Sequence, residues 1–383
     1  MRTASRRCSS GFLAASAWTA ACIVAFGGRA TAQALPGRIA DSTFWRMVNE
    51  MSEPGGYFRS DNLVGNEASL QYVIPDLQRT TRRGAYIGVA PDQNFTYIVA
   101  LRPKIAFICD IRRGAMLQHL MYKALIELSP DRADFLARLF SRRRPAGLDT
   151  ASSIDALLAA FARVPPDSNL YNANFAAMKD QLVKAHGFAL TADDFSGIAY
   201  VYDAFYYAGP GLTYNYSTGA GRGGYGGRFG MMPSYATMLA ETDGAGVQRS
   251  YLASEANYRV LREFETNNLL VPLTGDFAGP KALRAIGTYL REHDTRVMAF
   301  YTSNVEQYLF QQGDDWARFY RNVATLPIDS TSMFIRSFSS GTIARPMSPN
   351  GRSAQLIASI AALLTAFNQG KISQYFDVIM MSR

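Results

Sequence analysis

Asp110 falls 22 residues after Gly88, and the stretch that holds them, residues 85–110, reads AYIGVAPDQNFTYIVALRPKIAFICD. The pairing suggests nucleotide-type recognition. A glycine closing an apolar strand lets a ligand approach the backbone. An acid closing the next strand, roughly 20 residues on, accepts hydrogen bonds from two sugar hydroxyls. Apolar runs and turn residues predict a short buried strand over Ala85–Val89, a tight turn over Ala90–Gln93, a helix over Asn94–Leu101 and a second strand over Lys104–Asp110. The turn residues Pro91, Asp92 and Asn94 then lead into a helix start whose free N–H groups face a bound group. The structural alternative is that Gly88 only makes the turn and Asp110 only caps the segment entering Arg112.

Two further strand ends carry polar residues. Asp276 follows Leu269–Thr274, and Ser303-Asn304 follows Arg296–Thr302, with Glu306 and Gln307 opening the next helix. Such residues contact ligands or cap helices. The candidate cofactor-binding set is therefore Gly88, Pro91, Asp92, Asn94, Asp110 and Asp276. No catalytic role is assigned by sequence among the carboxylates Glu67, Asp276 and Glu306. The three histidines, His119, His186 and His293, are isolated from one another and from cysteine, so no metal-binding spacing is present. No G-x-S-x-G elbow occurs either. Residues 208–230 hold nine glycines interleaved with Tyr214, Tyr216, Tyr225 and Phe229, which predicts a flexible loop acting as a lid or an inert linker. Its formal glycine fingerprint, Gly219–Gly224, lacks a preceding strand and a following helix.

The elements that must position these residues alternate. A helix is expected over Ala40–Met51, and Ser60-Asp61-Asn62 offers caps before a segment through Leu77. Further helices fit Ala115–Leu128, Pro130–Phe140, Pro280–His293, Val305–Phe310, Trp316–Val323 and Ala354–Asn368, and Ser332–Phe338 reads as a strand. Strands alternating with helices predict an α/β, Rossmann-like domain with a mostly parallel sheet flanked by helices. Residues 35–383 are expected to form that single domain, with a helical and glycine-rich insertion over 130–255. A small-molecule ligand would sit at the carboxyl ends of the strands.

At 383 residues, 48% apolar and 18% charged, the chain can bury a full core. Arg2, Arg6 and Arg7 precede an uncharged apolar stretch, Gly11–Gly28, and small residues surround Ala32 and Ala34. That order predicts a signal peptide over residues 1–34, cleavage near Ala32 or Ala34, and export. Without it the formal charge falls from +8 to +4 and Cys109 is the one cysteine left. No nucleic-acid partner is expected from that balance, and no transmembrane span in the mature chain.

The segments SEPGGYFRSDNLVGNE (52–67), GVAPDQNFTYIVALRPKIAFICDIRR (88–113), HLMYKALIELSPDRADFLARLFSRRRP (119–145), GDFAGPKALRAIGTYL (275–290) and FYTSNVEQYLF (300–310) resemble an uncharacterised bacterial protein family, often exported. Its fold is similar to that of class I S-adenosylmethionine-dependent methyltransferases. The resemblance implies S-adenosylmethionine as a possible cofactor. The superfamily's first motif, acid-x-Gly-x-Gly-x-Gly, falls here on Tyr86, Gly88, Ala90 and Asp92, so one glycine stays and Tyr86 replaces the first acid. Asp110 matches the second-strand acid. S-adenosylmethionine is a cytoplasmic metabolite, so export implies that the fold binds another ligand or partner. The alternatives are a methyltransferase using the Gly88–Asp110 pocket, or a different envelope enzyme on the same scaffold.

Overall fold

Six strands form one sheet, and the order in which they lie decides where a ligand can enter. They are β1 (Ala85–Gly88), β2 (Ile105–Asp110), β3 (Leu270–Thr274), β4 (Val297–Ser303), β5 (Met333–Phe338) and β6 (Ala354–Ser359). The computed structural model describes residues 33–214, 232–338 and 353–383. Across the sheet the order is β3-β2-β1-β4-β5-β6, parallel throughout except for β6, which runs antiparallel to β5. The protein is thus α/β with a mostly parallel sheet flanked by helices, as the sequence predicts. Residues Gln33–Arg383 make one compact unit.

The first five strands are buried on both faces, which is why β1 to β4 read as mainly apolar runs, while β5 (MFIRSF) carries Arg336 and Ser337 within it. Pro272 is accommodated because β3 is an edge strand. Right-handed crossovers place the helices that lead from β1 to β3 on one face and those that lead from β3 to β5 on the other. Helix Gln93–Leu101 accordingly packs on Glu255–Thr266, while Ala282–Glu292 packs on Asp315–Val323. Between β2 and β3 lie the helices from Arg113–Leu128 to Glu255–Thr266. The first of these is buried nearly all round, between the sheet and helix Ala192–Ala208.

Two expectations change. Ala354–Asn368 is not one helix. Residues Ala354–Ser359 pair with Phe338–Met333 as β6, and the helix begins only at Ile360, where Ser359 Oγ accepts the Ala362 N–H at 3.3 Å. The run AQLIAS suits either state by pattern, and the open edge of β5 selects the strand. Upstream, the capped segment through Leu77 is a series of turns until helix Ile74–Thr80, where Pro75 sits in the first turn. Of the glycine-rich stretch, Gly209–Gly211 is one short helical turn and Thr213 bridges to Ser234. Residues 1–32 of the signal segment expected over 1–34, and residues 215–230 of the loop expected over 208–230, lie outside the described residues.

One buried ion pair fixes the end of β4. Glu306 and Arg336 are both fully enclosed, with Arg336 Nη2 at 3.0 Å from Glu306 Oε1 and its Nε on Oε2. Tyr320 donates to Oε1 at 2.7 Å, Thr302 donates to Oε2 at 3.1 Å, and the guanidinium lies 4.3 Å from the Phe334 ring centre. Every carboxylate oxygen is satisfied, so the pair is held despite its desolvation cost. Removing one partner strands the other charge. Arg336→Ala is expected to destabilise the fold by about 3–5 kcal/mol in urea unfolding. The double variant Glu306→Gln/Arg336→Met is expected to lose less than Arg336→Ala alone.

Candidate functional site

At the point where strand order reverses, between β1 and β4, a cavity of about 520 Å³ opens beyond the carboxyl ends of the strands. Open α/β sheets bind their ligands at this place. Four strand ends line it: Val89 and Ala90 after β1, Asp110 and Arg112 at β2, Asp276 and Phe277 after β3, Ser303 and Asn304 at β4. Residues from 57 to 67 close one side, bringing Asn62, Asn66 and Glu67. Tyr57, Phe58, Tyr214 and Tyr308 give the lining aromatic surface, and Phe58 meets Tyr308 edge-on at 5.3 Å.

The six residues expected from sequence divide between two places. Asp110 and Asp276 line the cavity. Gly88, Pro91, Asp92 and Asn94 make up the end of β1, the turn and the helix start, and none of them lines the cavity. Asn94 organises that turn. Its Nδ2 donates to the carbonyls of Val89 (2.8 Å), Ala90 (3.0 Å) and Pro91 (2.8 Å), and its Oδ1 accepts from the Tyr86 hydroxyl at 2.9 Å. Gly88 has no room for a side chain, because a Cβ there would collide with Asn94 Oδ1 and the Tyr86 ring. Ala90 takes a left-handed φ of 69°, a strained choice for alanine that these bonds hold in place. His119, buried and pushed down to about 4 by that burial, is neutral and donates from Nε2 to Ala90 O at 3.0 Å.

Asp92 faces the protein interior, 3.4 Å from the Tyr251 hydroxyl, which in turn meets the Tyr235 hydroxyl at 2.6 Å. Burial pushes its carboxyl up to about 7. Asp110, by contrast, is engaged by its own neighbour. The Arg112 N–H donates to Oδ1 at 2.9 Å, and the guanidinium reaches both carboxylate oxygens, at 3.2 and 3.4 Å, as well as the carbonyls of Ser60 and Asp61. Arg112 thereby ties β2 to the segment that closes the cavity. Asp276 does not cap the following helix. Glu53 does so, accepting the N–H groups of Lys281 at 2.7 Å and Ala282 at 2.8 Å. Asp276 instead accepts the Ala278 N–H at 2.9 Å, and burial raises its carboxyl.

Glu67 occupies a different environment from Glu306. It is buried, lines the cavity and accepts from neutral groups: the Ser303 hydroxyl on Oε1, and the Tyr301 hydroxyl and the Gln355 amide (3.5 Å) on Oε2. Burial raises its carboxyl above the usual range, with the donated hydrogen bonds opposing the shift. Gln93, also in the lining, sends Nε2 to Tyr301 at 3.2 Å, while its buried Oε1 has no partner. In the sequence, Ser303 stands at a strand end and Glu67 is one of the acids. Nothing there signals that the fold joins them, since the two are 236 residues apart. Arg112, Gln93 and Tyr301 went unremarked as site residues. Among the described residues, no group of three or more His, Cys, Asp or Glu side chains is arranged to hold a metal ion.

Comparison with known protein families matches residues 63–187 and 219–371, well over half of the chain, to a domain of unknown function, DUF7790. The chain belongs to the DUF7790 family. No curated protein matches it. The matched residues of this DUF7790 protein include Glu67, β1 to β5 and Ser303, and so most of the cavity wall.

Two substitutions test the turn. Gly88→Ala is expected to destabilise the protein by about 1–3 kcal/mol in thermal unfolding, as overpacking against Asn94 requires. Asp92 keeps its proton in the folded state up to about 7 but loses it near 4 when unfolded. Its contribution to stability therefore falls as pH rises between those values. Asp92→Asn is expected to remove that slope and to stabilise the protein at pH 8 by on the order of a few kcal/mol, while leaving pH 4 little changed. Urea unfolding across that range measures both.

Proposed function

We propose that this DUF7790 protein is exported and binds a small-molecule ligand or partner group at its strand ends on a methyltransferase-like Rossmann scaffold, without transferring a methyl group. The observation that carries the reading is that the chain itself uses the two contacts a nucleoside-type cofactor would need. Asn94 and Tyr86 fill the approach over Gly88, and Arg112 holds both oxygens of Asp110. The cavity supports binding in its own right. Its volume of about 520 Å³ falls in the range of small-molecule sites, and aromatic walls with a few convergent polar groups suit a ring-bearing ligand with hydroxyl or amine substituents.

Export is supported by the arginine-led apolar segment ahead of the domain. No helix among the described residues is long and apolar enough to cross a membrane. S-adenosylmethionine, a cytoplasmic metabolite, would be missing from the compartment so reached. The methyltransferase alternative is supported by the position of Asp110, which lines the cavity at the end of β2. A different envelope enzyme on the same scaffold is the third reading, since fold does not fix function.

Mass spectrometry of protein purified from its native compartment tests the first reading directly. The expected result is an N-terminus near residue 33 or 35 and a retained small molecule, with no S-adenosylmethionine binding in calorimetry. Micromolar binding of that cofactor, lost in Asp110→Ala, would transfer the assignment to the methyltransferase. An unprocessed chain in the cytosol would also sink the first reading.

A further inference from the structure

Ser303 is the last residue of β4, and its backbone adopts a left-handed φ of 54°. A non-glycine residue holds that conformation at a cost of order 1–3 kcal/mol, and only where its surroundings fix it. The β4–β5 register slips at the same point: Tyr301 stands opposite Ile335, and Ser303 opposite Arg336. A bulge of this kind re-aims the next side chain. The Thr302–Glu306 hydrogen bond and the Glu306–Arg336 pair hold the distortion from behind. A hydroxyl is thus presented at a sharp strand-to-helix turn, in the cavity wall, with its proton on the buried carboxylate of Glu67.

An activated serine needs these parts: a turn that projects Oγ, a base in hydrogen-bond contact, and a further group that orients the base. Here the Tyr301 hydroxyl and the Gln355 amide orient Glu67 through its other oxygen. Gln93 Oε1 is buried in the same wall without a donor, and buried acceptors are normally paired.

We propose that Ser303 is a nucleophile and Glu67 its general base, acting on a carboxylic ester bound in the strand-end cavity. The proposal rests on the reading of that cavity as a ligand site. As Ser303 Oγ bonds to the ester carbonyl carbon, its proton passes to Glu67. Glu67 then protonates the departing alkoxide as the ester C–O bond breaks, leaving an acylated serine and a free alcohol. A water molecule reverses the sequence: it gives a proton to Glu67 while its oxygen bonds to the acyl carbon, and Ser303 Oγ leaves and recovers the proton. The carboxylic acid is the second product. A carboxylate is a weaker base than imidazole, which favours esters, with their better leaving groups, over amides. The burial that raises Glu67 brings it nearer to working pH as a base.

The test uses the purified mature chain, a fluorophosphonate probe and 4-nitrophenyl acetate. Peptide mass spectrometry is expected to find one phosphonylated residue, Ser303. Labelling and ester hydrolysis should vanish in Ser303→Ala and fall at least ~10-fold in Glu67→Gln, with both variants checked for native near-ultraviolet dichroism. If Glu67→Gln does not fold, Tyr301→Phe takes its place. Removing a donor from the Glu67 carboxylate should shift the pH midpoint of labelling upward. An unlabelled wild-type protein, or labelling at Ser303 that ignores both Glu67 and Tyr301, overturns the proposal. A folded protein that retains a native ligand but takes no label sinks the nucleophile alone, whereas a protein that does neither sinks the ligand-site reading as well.

Discussion

The reversal of strand order between β1 and β4 is the constraint from which the rest of this molecule follows. A sheet that grows outward from β1 in both directions must send its first crossovers over one face and its later ones over the other. The loops after β1 and β4 therefore diverge, and the space between them cannot be filled by either. That space becomes the cavity. Other local arrangements here serve to keep its walls in place: Asn94 gathers three carbonyls under the β1 turn, Arg112 ties the β2 end to residues 60 and 61, and Glu53 caps the helix after β3.

Two glutamates serve the end of β4, and their different surroundings give them different chemistry. Glu306 meets the Arg336 guanidinium within a packed wall. Glu67 meets hydroxyls and an amide, which satisfy its oxygens without a compensating charge, so its affinity for a proton stays high. A similar contrast separates Asp110, paired with Arg112, from Asp276, which has a backbone donor and partial burial. Charge partner, rather than residue type, separates Glu306 and Asp110, each held by a guanidinium, from Glu67 and Asp276, whose carboxyls burial raises.

The fold is legible because parallel strands buried on both faces appear as apolar runs, and β2, β3 and β4 each end in a polar residue, Asp110, Thr274 and Ser303. β6 was not legible. Ala, Gln, Leu, Ile and Ser fit a helix as well as a strand, and only the unpaired edge of β5 decides between them. For the site, the strand-end rule brings Asp110 and Asp276 to the cavity from spacing alone. The same rule is blind to what a side chain does once placed. Nothing in the letters around Gly88 shows that Asn94 turns back to fill the space above it. Glu67 sits in irregular backbone ahead of β1, so no periodicity assigns it a direction.

The link between Glu67 and Ser303 joins points 236 residues apart, one ahead of the first strand and one at the end of the fourth. Closing so long a loop is entropically expensive, and contacts of this separation form late in folding. The carboxylate emerges from the ribosome long before its hydroxyl partner exists. Whatever the cavity does, it begins to do only when the sheet has closed across its centre, so competence at this site reports that the topology is complete.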